Sequence, residues 1–201
     1  MNSQQPNSVP ESRYSKLIMP ALLALLLIFI GVASRIGLVG SPNFKPVCAL
    51  ALFAGFYFRN LWAAAGVVFA TLLISDAYIG GYGLSLMIAV YTSTALAGCL
   101  GVLVSRWHNN QSGVRTLFGK FAVASLVMST AFFLLTNLAV WMASSWYPNS
   151  LAGLGECYAA AIPFYRWTLV SDFVFSQAAV AVYGLALLAA TATKPGKAVA
   201  N

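Results

Sequence analysis

Residues 17–39 read LIMPALLALLLIFIGVASRIGLV, an apolar run whose only charged residue, Arg35, lies near its end. A helix needs about 20 such residues to cross the hydrocarbon core of a bilayer, because each residue advances it by about 1.5 Å. Lipid offers the backbone no hydrogen bonds, so helices and closed barrels are the structures that span it. The run therefore predicts a transmembrane helix.

The composition of the whole chain agrees with this class. Of its 201 residues, 60% are hydrophobic and 7% are charged, whereas soluble domains carry about 25% charged residues. We expect an all-α polytopic membrane bundle surrounded by membrane lipid. The net charge of +7 does not indicate a nucleic-acid partner, because the basic residues are scattered at predicted helix ends and form no patch with interleaved aromatic residues.

Apolar runs predict six transmembrane spans in one domain over residues 17–192, namely Leu17–Val39, Val47–Phe58, Leu61–Ile79, Leu84–Val104, Leu117–Trp141 and Trp167–Ala192. Residues 1–16 and 193–201 are expected to be disordered cytoplasmic tails. The second span is short, and Val47–Ile74 could instead form one helix with Arg59 at its centre, giving five spans. A guanidinium there costs about 2.5–3.5 kcal/mol on insertion scales, which favours a tight turn at Arg59 and Asn60.

A long connection, Ser144–Arg166, separates the last two predicted spans. Within it, apolar residues recur at helical spacing as far as Pro163, which predicts a short helix that ends there and lies at the membrane interface. Connections of this length are usually functional or disordered. We therefore expect the segment to act as a mobile cover over a pocket on the outer side.

The distribution of charge predicts the orientation. Most of the eleven Lys and Arg residues fall at one end of the six-span arrangement, and the positive-inside rule places that end and both termini in the cytoplasm. Charged residues within membrane segments mark functional sites by default. Those gathered near the outer end are Arg35, Lys45, Asp76, Glu156, Arg166 and Asp172. Polar and aromatic residues predicted beside them, as in a small-molecule pocket, are Asn43, Tyr82, Asn137 and Tyr158.

Asp76 and Asp172 end two similar segments, Leu-Ile-Ser-Asp and Leu-Val-Ser-Asp. The predicted helices that carry them run in opposite directions, so both carboxylates are expected at a similar depth and facing the bundle interior. Two carboxylates at one level could hold a cationic ligand. They could equally pair with Arg35 and Arg166 and close the bundle.

Four stretches carry a resemblance to a known family: PNFKPVCALALFAGFYF (42–58), LLISD (72–76), LLTNLAVW (134–141) and WYPNSLAGLGECYAAAIPFYRWTLVSDFVFS (146–176). Over residues 43–176 the chain resembles an uncharacterised bacterial membrane family described as transport proteins, itself similar to the substrate-binding (S) components of energy-coupling factor vitamin transporters. The resemblance implies a six-helix fold in the bacterial inner membrane, with an outward-facing pocket. The Ala-xxx-Ala pattern by which S components meet their energising module is absent from residues 17–39, so a shared module and a solitary transporter both stay open.

The expected function is capture and uptake of a small solute, vitamin-like or a cofactor precursor, from the outer side. One alternative is a structural or assembly subunit whose outer charges only pair with each other. Another is an intramembrane aspartyl hydrolase, but the Tyr-Asp and Gly-x-Gly-Asp motifs of that class are absent at Asp76 and Asp172. No enzymatic activity is therefore expected. No cofactor is expected either, because metal-ligand spacing is lacking among Cys48, Cys99, Cys157 and His108.

Overall fold

A computed structural model of the protein describes residues 13–39, 43–108 and 113–192, and its regular structure there is entirely helical. The helices are α1 (Arg13–Gly37), α2 (Val47–Phe58), α3 (Leu61–Ile79), α4 (Leu84–Trp107), α5 (Gly113–Ala143) and α6 (Leu151–Ala192). Five of them are long and apolar enough to cross a membrane. The all-helical membrane class predicted from composition is therefore supported, and each predicted span corresponds to one helix.

The helix bounds differ from the predicted spans at several ends. Helix α1 begins at Arg13, inside the predicted disordered tail, and α4 and α5 both extend beyond the apolar runs into the connection between them. Residues 1–12 and 193–201 of the predicted tails lie outside the described residues. Helix α2 has 12 residues, so it extends about 18 Å, well short of the roughly 30 Å hydrocarbon core.

The chain turns sharply between α2 and α3. Arg59 adopts a left-handed conformation with φ 52° at the C-terminus of α2, and the Asn60 side chain accepts hydrogen bonds from the backbone N–H groups of Trp62 and Ala63 at 2.8 and 3.2 Å. An asparagine that caps a helix in this way satisfies backbone donors that have no partner within the helix. The turn predicted at Arg59 and Asn60 is confirmed, and the single-helix alternative over residues 47–74 is wrong.

Helix α6 contradicts the prediction of a separate short helix before the last span. It runs for 42 residues with Pro163 inside it, and the connection from α5 is only residues 144–150. Side chains on both sides of Pro163 hold the helix against α5: the Tyr158 hydroxyl donates to the Leu134 carbonyl at 2.9 Å, and the Tyr165 and Thr130 hydroxyls lie 2.7 Å apart. Proline removes one backbone hydrogen bond, and this packing keeps the helix continuous without it.

Helix α2 lies at the centre of the bundle and contacts each of the other five helices. Its closest neighbour is α4, which it meets through glycines. A Cβ atom on Gly55 would overlap the backbone carbonyl of Gly98, and one on Gly101 would overlap that of Leu52. Small residues let membrane helices approach to backbone contact. The two helices therefore pack so closely that neither interface glycine can be enlarged without moving a backbone.

This packing generates a stability prediction. Gly101→Ala should lower the free energy of unfolding by about 1–3 kcal/mol, because the added methyl group overlaps backbone that cannot move as a side chain can. The matched control is Gly66→Ala in α3, where a Cβ atom meets nothing within 4 Å. Thermal unfolding of the detergent-purified variants measures the difference. Equal midpoints for the two alanine variants would show that the α2–α4 contact is looser than described.

Candidate functional site

A cavity of about 330 Å³ opens where α2 begins, at the end of the bundle predicted to face outward. This volume lies within the range of small-molecule sites, roughly 300–1,000 Å³. The first cavity, as we name it, receives residues from five helices and two connections. Its lining residues are Arg35, Asn43, Lys45, Val47, Cys48, Tyr82, Leu86, Val90, Thr94, Phe132, Thr168 and Asp172.

A second cavity of about 260 Å³ continues from the first between α4, α5 and α6. The two share the lining residues Asn43, Leu86, Val90, Phe132 and Thr168. The second cavity is more aromatic and carries no charged residue. The residues that line it alone are Phe133, Thr136, Asn137, Val140, Ala161, Phe164 and Tyr165. Together the cavities form one space with a charged end and an apolar end, here called the joint cavity.

Asp76 is buried on α3 and held by two side chains from other helices. The Arg35 guanidinium forms a salt bridge with Oδ1, and the Tyr91 hydroxyl donates to Oδ2 at 2.9 Å. The exposed fractions of the two charged side chains are 11% for Arg35 and 6% for Asp76. A buried carboxylate in this position requires such partners, because an isolated charge away from water is costly. The pair joins α1 to α3 and places Arg35 at the wall of the first cavity.

Asp172 is 1% exposed and lies at the N-terminus of α2. Its Oδ1 atom accepts the backbone N–H of Ala49 at 3.3 Å, and its Oδ2 atom accepts the Ser129 hydroxyl at 2.8 Å. Pro46 precedes α2 and makes no side-chain capping bond. The first N–H groups of a helix lack internal partners and carry partial positive charge, which a carboxylate stabilises. Asp172 therefore caps α2 from a neighbouring helix.

The segment before α2 sets the charged wall of the cavity. Asn43 has φ 56°, a left-handed conformation that asparagine tolerates better than most residues. Phe44 then packs against Trp167 and Phe175 of α6, with ring centroids 6.5 and 5.9 Å apart. With Phe44 anchored on α6, the next residue, Lys45, lines the first cavity.

The low polarity of this end of the bundle changes the pKa values of both Lys45 and Tyr82. Burial, followed by the positive charge of Arg35, lowers the pKa of Lys45 below its ordinary value. Burial, followed by the negative charge of Asp76, raises the pKa of Tyr82. The Tyr82 phenol therefore stays protonated at neutral pH and can donate a hydrogen bond. Its hydroxyl oxygen is buried and interacts with Arg35 and Asp76, but it makes no well-formed hydrogen bond with a described residue.

Among the residues predicted for the site, those that line the joint cavity are Arg35, Asn43, Lys45, Tyr82, Asn137 and Asp172. The predicted interior position of both carboxylates is confirmed, since Asp76 is 6% and Asp172 is 1% exposed. Asp76 lies behind Arg35 and does not line the cavity. Of the two pairings considered, Arg35 with Asp76 is present, whereas Asp172 bonds to a backbone amide and a serine.

The remaining predicted site residues lie away from both cavities. Glu156 is exposed, the Tyr158 hydroxyl bonds to α5, and the Arg166 guanidinium lies over the Trp167 ring, 5.4 Å from its centroid. The segment that carries them continues α6 alongside α5 and does not fold over the cavity, which contradicts the predicted cover.

Several cavity residues were not identified from the sequence, although a signal for them exists. Leu86, Val90 and Thr94 recur every four residues on α4 and line the first cavity. Thr168 and Asp172 have the same spacing on α6. Residues four apart share a helix face. Thr94 therefore shares a helix face with Val90, and Thr168 shares one with Asp172. A threonine four residues from an apolar residue or a carboxylate is the sequence signal for a face that lines the cavity.

The capping role of Asp172 predicts how its variants behave. Asp172→Ala should lower the free energy of unfolding by at least about 2 kcal/mol, because it leaves the Ala49 N–H and the Ser129 hydroxyl without their acceptor. Asp172→Asn should retain most of the stability, since its amide oxygen can accept from Ala49 and its NH₂ group can donate to Ser129. Thermal unfolding followed by tryptophan fluorescence measures both variants. An alanine variant as stable as wild type would exclude the capping role.

Comparison with known proteins relates the chain to one family. The model of a family of unknown function, DUF6580, matches residues 15–194. No curated protein and no solved structure matches the chain, so the predicted similarity to S components has no support from these comparisons. The matched range contains all the described residues that line the joint cavity. Because the match extends over most of its length, this chain belongs to the family of unknown function DUF6580.

Proposed function

We propose that this protein is a solute-binding transport protein of the bacterial inner membrane, which takes up a small molecule through the joint cavity. The observation that carries the proposal is the cavity itself, about 330 Å³ in its first part and bordered by residues from five helices. Small-molecule sites combine an apolar, aromatic wall with a few convergent polar groups. The joint cavity has this composition, with its polar groups at the end predicted to face outward.

The arrangement of the carboxylates argues against hydrolysis by an aspartyl dyad. Such a dyad requires two carboxyl groups that share a proton. Here Asp76 bonds to Arg35 and Tyr91, while Asp172 bonds to Ala49 and Ser129. Each carboxylate thus has separate partners and a structural task, which supports a binding protein more than an enzyme.

The other alternative is a purely structural subunit. The pairing of the basic residues at the outer end disfavours it. If the outer charges served only to hold the helices together, each base at that end would be expected to have an acidic partner. Arg35 has one, but Lys45 lines the cavity without an ion pair among the described residues. An unmatched base at a cavity wall supports ligand binding.

Filling the cavity provides a test of solute binding. Val90 lines both parts of the joint cavity, so Val90→Trp should exclude the solute and lower its affinity at least tenfold, about 1.4 kcal/mol. The matched control, Val123→Trp on α5, places the same ring on a position that is 64% exposed. Mass spectrometry of small molecules that co-purify with each variant provides the readout. Equal retention of a co-purifying molecule by both variants would locate its binding elsewhere.

The proposed orientation has a separate test. We propose that both termini and the α4–α5 connection lie in the cytoplasm, and that the α5–α6 connection faces outward. In a cysteine-free background, Asn149→Cys should react with a membrane-impermeant maleimide in intact cells, and Ser112→Cys should react only after permeabilisation. Labelling of position 112 in intact cells would reverse the orientation and place the joint cavity on the cytoplasmic side.

A further inference from the structure

The chain is short of acidic residues at the end where the cavity opens. It contains four Asp and Glu residues in total. Both oxygens of Asp76 accept bonds, from Arg35 and Tyr91, and both oxygens of Asp172 also accept bonds. Asp76 lies behind Arg35 and does not line the first cavity, whereas Asp172 lines it with one hydrogen bond already made to each oxygen.

The basic residues are in the opposite situation. Lys45 makes no ion pair with a described residue, and the chain offers few further acids. Glu156 is exposed on α6, and Glu11 lies outside the described residues. The Nε atom of Arg35 is also buried without a hydrogen-bond partner among the described residues. Arg35 and Lys45 line the first cavity together with Asp172. Arg35 is paired with Asp76, so Lys45 is the base at this wall without an ion pair to a described residue.

Neutral hydrogen-bond donors line the same cavity. Tyr82 lines the first cavity, and its buried hydroxyl interacts with Arg35 and Asp76 but makes no well-formed hydrogen bond with a described residue. At the start of α2, Asp172 takes the N–H of Ala49, whereas the N–H groups of Val47 and Cys48 have no acceptor among the described residues. Both residues line the first cavity. Unpaired helix N-termini in membrane transport proteins point at anionic groups of substrates.

We propose that the solute is an organic anion whose carboxylate, or a similar small anionic group, binds beside Lys45 in the first cavity. This inference rests on the proposed function and specifies its substrate class. Arg35, Tyr82 and the start of α2 supply further donors to the same group. Buried donors cost free energy when they lack acceptors, and an anion provides acceptors for several of them at once.

The electrostatics of Lys45 favour such a ligand. Its charged form is disfavoured by burial and by Arg35, with partial compensation from Asp76. An anion in contact with the ammonium group would reverse that penalty, because opposite charges at close range stabilise each other strongly where water is excluded. A cationic ligand would instead increase the free-energy cost of the charged form of Lys45.

The apolar end of the joint cavity specifies the rest of the molecule. Phe132, Phe133 and Phe164 line the second cavity, and no charged side chain does. A planar or aromatic body fits walls of this composition, since aromatic rings stack or meet edge to face. The expected solute therefore has an anionic head toward Lys45 and an uncharged ring system toward α5 and α6.

The test uses the full-length protein in detergent and three series of probes that share a ring and differ in the head group. These are aromatic monocarboxylates (benzoate, phenylacetate and 3-phenylpropionate), their amides and the corresponding primary amines. Carboxylates should stabilise the protein against thermal unfolding and bind more tightly than the amides or amines. Lys45→Met should weaken carboxylate binding on the order of 10- to 100-fold, the loss of a charge-assisted bond. Lys45→Arg should retain most of it.

Arg166→Met is the matched control, because it removes a positive charge at the same end of the bundle outside the cavity. It should leave carboxylate affinity unchanged within about twofold, since an exposed charge is screened by solvent. An equal loss in Arg166→Met and Lys45→Met would show a general field effect and overturn the Lys45 site.

The failure of this inference is distinguishable from failure of the proposed function. Amines or amides that bind more tightly than carboxylates, and that Val90→Trp excludes, would overturn the anion assignment and leave solute binding in place. A cationic or neutral molecule that co-purifies with the wild type and is lost in Val90→Trp would also overturn the anion assignment and leave solute binding in place. If no probe of any series binds and nothing co-purifies, both proposals fall.

Discussion

The structure depends on how the start of α2 is stabilised inside the bundle. This helix has 12 residues, and its first residues are buried among the other helices. The N–H of the buried Ala49 needs an acceptor within the protein, and the preceding proline has no side-chain acceptor to supply it. Asp172 supplies the missing acceptor from α6. A single carboxylate thereby fixes the depth of α2 and joins it to α5 through Ser129.

The cavity follows from the shortness of α2. A full-length helix in the same place would continue through the space that the first cavity occupies, beside Val47 and Cys48. The other end of α2 cannot shift to fill that space, because its glycine contacts with α4 already bring the two backbones together. The same features that make α2 a rigid central element therefore leave an opening at its start, bordered by the neighbouring helices.

The acidic and basic residues at this end of the bundle differ in their pairing. Internal bonds of Asp76 join α3 to α1 and α4, and those of Asp172 join α6 to α2 and α5. A carboxylate in a membrane interior is costly unless it is paired, and both of these carboxylates are paired. Lys45 has no such internal partner among the described residues, and that asymmetry connects the architecture of the bundle with the chemistry of the solute that we propose.

The sequence by itself determined the helical membrane class, the order of the apolar segments and the turn at Arg59 and Asn60. These depend on local properties: each segment gains from lipid independently, and an asparagine caps the helix that directly follows it. Five predicted site residues that line the first cavity were also accessible as polar or charged groups near segment ends, namely Arg35, Asn43, Lys45, Tyr82 and Asp172.

Only the tertiary structure decided the continuity of α6 and the partners of the acids. Pro163 reads locally as a helix end, and it lies within a helix because side chains on both sides of it bond to α5. The bonds of Asp76 to Arg35 and of Asp172 to Ala49 join residues 41 and 123 positions apart. Contacts at such separations depend on how whole helices pack, and the pattern of neighbouring residues does not determine that packing.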